Sequence, residues 1–303
     1  MKLWKEYAIE PSLFTNYHLA DAILSGIGIE HGRIVGAVPR RWEKEVRLAT
    51  AELREIERGR IVERLAKLRD AIIPRQCDWN GARTWREQAF EVHAADPFDC
   101  ILLDGPDAHQ SAANATLGLG GVPCWDCSRS LEIPRTAPNL AAAVKPMLCQ
   151  ARTVILVDAY FNPTGQVRQS KWLRPLQALT ATLATDGRLS RFEVHALNPR
   201  EERRRWNSGL FASNCRACLG AALPQGVSVS AFLWSERKDG EQFHERLIVT
   251  DIGGVVVDPG IDDGPIGEIY KLRLISKLEV ASYLAKFTSA GPYDLVEQEA
   301  VSG

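Results

Sequence analysis

The sequence has almost no net charge: 37 Lys and Arg stand against 38 Asp and Glu, a formal balance of -1 at pH 7. No global preference for an acidic or basic partner follows, although a local basic patch is enough to bind a nucleic acid. The chain also lacks any run of eighteen apolar residues, so no transmembrane helix is expected. Its start, Met1-Lys2-Leu3-Trp4-Lys5-Glu6-Tyr7, lacks the apolar core of a signal peptide. No amphipathic anchoring segment stands out. These absences predict a soluble, cytoplasmic protein with no membrane partner. The seven cysteines are odd in number, which with no export signal predicts reduced thiols rather than a disulfide framework.

Two cysteine pairs have metal-like spacing, Cys124-Trp-Asp-Cys127 and Cys215-Arg-Ala-Cys218. Four thiolates from two such pairs build a tetrahedral zinc site when they meet. Here the pairs lie about ninety residues apart, and the second falls in a helix-like segment, so buried thiols are the simpler reading. The glycine cluster at Gly118, Gly120 and Gly121 has no following lysine and no evident strand-loop-helix setting, which excludes a phosphate loop.

With 303 residues, 45% hydrophobic and 25% charged, the chain has enough apolar material for two ordinary folded domains. The predicted break lies near residue 138, giving domains 1–138 and 139–303. The first reads as a helix-rich α+β domain. The apolar clusters of residues 1–36 suggest one or two short helices. Trp42, Val46, Ala49, Leu53 and Ile56, then Ile61, Leu65, Leu68 and Ile72, keep helical spacing with a slip at Gly59, predicting two helices or one kinked helix ending at Pro74. A capped helix is expected to start at Thr84, and Phe98–Leu103 reads as a buried strand. Residues 105–140 show no sustained period.

From Thr153 the chain alternates strand, helix, strand, helix and strand. Thr153–Phe161, Phe192–Leu197 and Val227–Trp234 are strand-like, with helical patterns at Trp172–Leu183 and within Glu201–Leu223. Gly187 is expected to end the first of those helices. Crossovers of this kind predict an α/β fold with a mainly parallel sheet and flanking helices. Tyr270–Ile275 and Leu278–Phe287 add a strand and a helix. Asp158, Tyr160 and Asn162 follow the first strand at its carboxyl end, where open parallel sheets place ligands. Arg203, Arg204 and Arg205 with Trp206 form either a phosphate-tracking patch with a stacking aromatic or the solvated start of a helix.

Pattern and chemistry coincide at Phe243–Gly260. Alternating apolar residues run to Asp251-Ile252-Gly253-Gly254, which is hairpin chemistry, and resume as Val255-Val256-Val257. On a strand His244 and Arg246 project to one face while Glu245 and Leu247 project to the other. His244, one residue, Arg246, four residues and Asp251 resemble the phospholipase D-like superfamily. Its signature is His, any residue, Lys, four residues, Asp, six residues and Gly-Ser. The family repeat has the same order of elements, and residues 150–290 are similar to one such repeat.

The resemblance implies a metal-independent phosphodiesterase, specifically a nuclease, with no cofactor. In that family two motif copies meet at an axis. One histidine attacks phosphorus, and the other protonates the leaving oxygen. It carries over to His244 as nucleophile or acid, Arg246 as phosphate binder and Asp251 as the third motif residue. An aspartate can hold an imidazole in one tautomer. This chain has one motif, so a homodimer or a related subunit is implied as partner, with DNA or RNA as substrate. Two positions depart from the signature: Arg246 replaces lysine, and Asp258-Pro259 replaces Gly-Ser, bringing a carboxylate where a phosphate should approach. These departures motivate a second expectation, a catalytically inactive binding or assembly subunit of a nucleic-acid-processing complex, by analogy one of bacterial defence.

Overall fold

In the computed structural model of the protein, which describes residues 2–183, 189–201 and 205–303, the first apolar cluster is a strand rather than a helix. This strand, β1 (Lys5–Ile9), buries Tyr7, Ala8 and Ile9 at the centre of a five-stranded parallel sheet ordered β3-β2-β1-β4-β5. Its partners are β2 (Arg33–Ala37), β3 (Ile72–Pro74), β4 (Cys100–Leu103) and β5 (Ala112–Asn114). The helices α1 (Tyr17–Gly26), α2 (Trp42–Ala49), α3 (Glu55–Lys67) and α4 (Trp85–Ala95) alternate with the strands. The expected helix-rich α+β domain is therefore corrected to an α/β unit. Its strands are short and take their partners from distant segments, so local periodicity favoured the helices between them.

Several expected elements also move. The break between α2 and α3 falls at residues 50–54, and Gly59 lies inside α3. Residues 72–74, expected to finish a helix, form β3. The start of α4 follows the expectation: Thr84 accepts from the Glu87 amide while Glu87 reaches back to Thr84, a capping box.

The chain divides into units Lys2–Arg129 and Ser130–Gly303, against the expected boundary at 138. The second unit opens with β6 (Ser130–Pro134) and α5 (Ala137–Leu148), both within or beside the stretch expected to be irregular. It continues with β7 (Thr153–Asp158), α6 (Leu173–Thr180), β8 (Arg191–Leu197), α7 (Leu210–Cys218) and β9 (Ser228–Glu236). The hairpin follows as β10 (Arg246–Thr250) and β11 (Gly254–Asp258), then β12 (Ile269–Ile275), α8 (Lys277–Lys286) and β13 (Tyr293–Ser302). Gly187 lies outside the described residues.

These strands form one eight-stranded sheet ordered β13-β9-β8-β7-β10-β11-β12-β6. Among the described residues only the pairs β7–β8 and β8–β9 of this sheet are parallel, joined by crossovers through α6 and α7. The pairs β7–β10, β10–β11, β11–β12, β12–β6 and β9–β13 are antiparallel. The sheet is mixed, which corrects the expectation of a mainly parallel one. A two-residue turn closed by the Thr250 amide donating to the Gly253 carbonyl (2.8 Å) returns the chain beside itself, and such a turn permits only antiparallel pairing.

One face of the sheet packs Ile155, Val157, Trp234, Phe243, Leu247 and Val249 against Ile275, Val280 and Tyr293. Gly254 is pinched between Val249 and Ile275, where an added Cβ would stand 2.7 Å from Val249 Cγ1. Among the described residues no helix is long and apolar enough to cross a membrane.

Candidate functional site

The pairing of β7 with β10 places Asp158 directly opposite Arg246, at the end where β7 finishes and β10 begins. Leu247 and Val249 face the core, so Arg246 lies on the other side of the sheet. The Arg246 guanidinium carbon is 5.1 Å from the centre of the Tyr160 ring, and Nη1 is 3.8 Å from Asp258. Its Nε is buried with no hydrogen-bond partner among the described residues.

Asp158 is buried and accepts two backbone N–H bonds, from Tyr160 (2.9 Å) and Ile261 (2.7 Å). Burial pushes its carboxyl up to about 6 against the pull of those two bonds; Asp262 adds to the rise and Arg246 opposes it. The bond from Ile261 ties the loop after β11 onto the end of β7. Gly260 makes this approach possible, since a Cβ there would lie 2.8 Å from Asp262 Oδ1 and 3.2 Å from Asp158 Oδ2.

That loop carries two further carboxylates. Asp262 is buried and paired with Arg135 and with Lys171 (2.8 Å). Its carbonyl accepts from Arg135 Nε (3.0 Å) and from the buried Tyr270 hydroxyl (2.9 Å). Asp263 pairs with Arg174 Nε at 2.9 Å, and burial raises its carboxyl despite that cation. Cations and carboxylates thus alternate, and the cluster is close to neutral. Sequence reasoning missed Asp262, Lys171 and Arg135. The acidic run after the Val255–Val257 strand was a usable signal for Asp262, whereas Lys171 and Arg135 arrive from segments with no distinguishing pattern.

His244 precedes β10 and is exposed, with Nε2 2.7 Å from Gln242 Oε1. Phe243 lies in the core with Leu247, and Glu245 pairs with Lys286 of α8 and accepts from Tyr293 (3.4 Å). Residues 243, 245 and 247 therefore share one side, leaving His244 on the side of Arg246. Their Cα atoms lie within about 7 Å along an extended chain. Asp251 sits at the opposite end of β10, where its carboxylate accepts from the Arg152 (2.9 Å) and Thr153 (3.1 Å) amides. Four residues of strand separate it from Arg246, a span of five residue steps or about 16 Å, so its role is to anchor the start of β7 rather than to orient the imidazole.

The basic run is not part of the cluster as far as it is described. Arg203 and Arg204 lie outside the described residues, Arg205 is exposed, and the Trp206 amide donates to Asn198 Oδ1 (2.9 Å) while its ring meets Phe211 edge-on at 5.5 Å. Cys124 is joined to Cys100 in a disulfide, correcting the expectation of reduced thiols, and Cys127 Sγ is 3.0 Å from the Gly32 carbonyl oxygen. Cys215 is buried, which pushes its thiol up to about 12, and Cys218 is half-buried. Among the described residues no group of three or more His, Cys, Asp or Glu side chains is placed to hold a metal ion. The sequence matches no protein-family model and no curated protein.

Proposed function

We propose that the unit Ser130–Gly303 is a phospholipase D-like domain and that the protein is a metal-independent phosphodiesterase acting on DNA or RNA as a homodimer. One feature carries this reading: the exposed His244 precedes β10 by two residues, and Phe243 and Leu247 in the core leave it on the side of Arg246. A nucleophile and a permanent cation on one side suit an anionic substrate whose nonbridging oxygens gain charge in the transition state. His244 of one copy attacks phosphorus, forming an N–P bond as the P–O bond to the leaving nucleotide breaks. His244 of the second copy gives that oxygen its proton. Water then attacks the phosphohistidine, yields its proton to the second imidazole and frees the first.

The test is cleavage of single- and double-stranded DNA and RNA in EDTA. Wild type is expected to cut, and His244→Ala to lose at least about a hundredfold in rate. Equal cutting by the two proteins across all substrates ends the reading.

A second reading rests on the Arg246–Asp258 pair, 3.8 Å apart, with the Asp158 carboxylate opposite. These carboxylates compete with phosphate for Arg246, which favours a catalytically inactive subunit that binds nucleic acid or assembles with a processing complex. It predicts salt-dependent nucleic-acid binding without turnover. Asp258→Ser separates the two: a gain in cleavage supports the enzyme, and an inert variant that still binds supports the subunit.

A further inference from the structure

The residues around Tyr160 differ from it in one respect. Phe161 and Trp172 are buried against each other at 6.1 Å, whereas Tyr160 is 52% exposed. Its backbone amide is fixed by Asp158 Oδ1 (2.9 Å), and the Arg246 guanidinium covers its ring at 5.1 Å. A large aromatic is thus held in place by contacts on its backbone and by a cation on its ring, while half of the residue meets solvent. Ordering such a ring costs little further entropy when a ligand arrives.

The charges nearby indicate what that ligand is. Arg246 has Asp258 at 3.8 Å and Lys171 has Asp262 at 2.8 Å, so neither is an uncompensated cation able to draw in a run of phosphates. What remains on offer is a π-surface polarised by a guanidinium, and every nucleobase has a π-face to match it. In a duplex those faces are covered by neighbouring base pairs; in a single strand they are free.

Resting on the phosphodiesterase reading above, we infer that the substrate class is single-stranded nucleic acid, one base of which stacks on Tyr160 beside the His244–Arg246 site. The stacked base positions the strand, and the adjoining phosphodiester is the one presented to His244. Recognition is by stacking, so it is tolerant of sequence, and its salt dependence is shallow. A slope of log affinity on log salt no steeper than about -2 corresponds to roughly three phosphates for a single strand.

Fluorescence anisotropy with a labelled single-stranded oligonucleotide and its duplex, using the full chain, tests this. Wild type is expected to bind the single strand at least tenfold more tightly than the duplex. Tyr160→Ala should lose about tenfold to a hundredfold in single-strand affinity, and Tyr160→Trp should restore it. Matching circular dichroism melts for wild type and Tyr160→Ala establish that the variant is folded. Equal binding by wild type and folded Tyr160→Ala, equal affinity for strand and duplex, or no binding by wild type each overturns the inference. Cleavage by wild type and His244→Ala is scored separately. If Tyr160→Ala binds normally while His244-dependent cutting persists, the stacking inference alone fails. If single-strand binding depends on Tyr160 but no cutting depends on His244, the phosphodiesterase reading alone fails.

Discussion

His195 is buried on β8, with Nε2 3.0 Å from Glu193 Oε2 and Nδ1 2.9 Å from the Trp234 indole nitrogen. An indole N–H only donates, so Nδ1 accepts and the ring proton sits on Nε2, directed at Glu193. Burial pushes His195 below the ordinary imidazole value, against the hydrogen bond and charge of Glu193. The unfolded chain therefore binds this proton first, and the stability it contributes, full above about pH 6.5, is lost as pH falls toward the lower folded value. Asp158 acts in the opposite sense. Its carboxyl is raised from 3.8 to about 6, so the folded state takes up this proton first and gains stability as pH falls from about 6 toward 4. Below about pH 6 the two effects offset. Urea unfolding at a series of pH values should show Asp158→Asn losing stability on acidification more steeply than wild type. Because slopes are compared, a lower overall stability of the variant does not matter; a variant slope equal to or shallower than wild type would refute the opposition. Asp158 and Tyr160 were visible in the sequence as residues at a strand end, and Arg246 as the cation two residues after His244. Their grouping with Asp262 and Lys171 was not, because it depends on strand pairing and loop closure between segments about a hundred residues apart.

At the scale of elements, α3 offers a direct comparison of propensity with packing. Gly59 sits inside the helix, and a Cβ added there meets none of the described residues within 4 Å. Gly59→Ala is therefore expected to stabilise the first unit by about 1 kcal/mol through helix propensity and a less flexible unfolded chain, raising its thermal midpoint by a few degrees. A lowered midpoint would show that the site is not open. The glycine had suggested a break in the helical period, but Glu55–Lys67 runs through it, carried by Ile61 and Leu65 on the buried face. Elements whose signals are local were legible: the Thr84–Glu87 capping box, and the hairpin with its Asp251-Ile-Gly-Gly turn. β13 was not. It is an edge strand paired with β9, bulged between Leu295 and Glu297, and much of it is exposed, so no run of apolar alternation marks it.

For the whole molecule, the position of the boundary is itself a physical claim. Composition placed it at 138, because residues 105–140 are rich in turn formers and read as a linker. The structure instead uses Ser130–Pro134 as β6, the outer partner of β12 from Ile269↔Pro134 to Arg273↔Ser130. The short strand was invisible locally because its pairing partner lies about 140 residues away. It buries Leu131, and the following Arg135 bonds the Asp262 loop that closes the candidate site. A fragment beginning at Ser130 should therefore behave differently from one beginning at 139. The longer fragment is expected to be monodisperse and to melt cooperatively. The shorter one loses β6, the Arg135 contacts with Asp262 and the first two residues of α5, Ala137 and Pro138, leaving the β12 edge unpaired and the carboxylates of the loop short of a cation. Unpaired edges promote association, so the 139–303 fragment should aggregate or melt without a sharp transition. Size-exclusion chromatography and circular dichroism melts of the two fragments decide it, and equal behaviour would return the boundary to 138. Arg135→Leu within the longer fragment isolates the ion-pair contribution, since it leaves the β6 ladder intact while removing one of the two cations paired with the Asp262 carboxylate, Lys171 being the other.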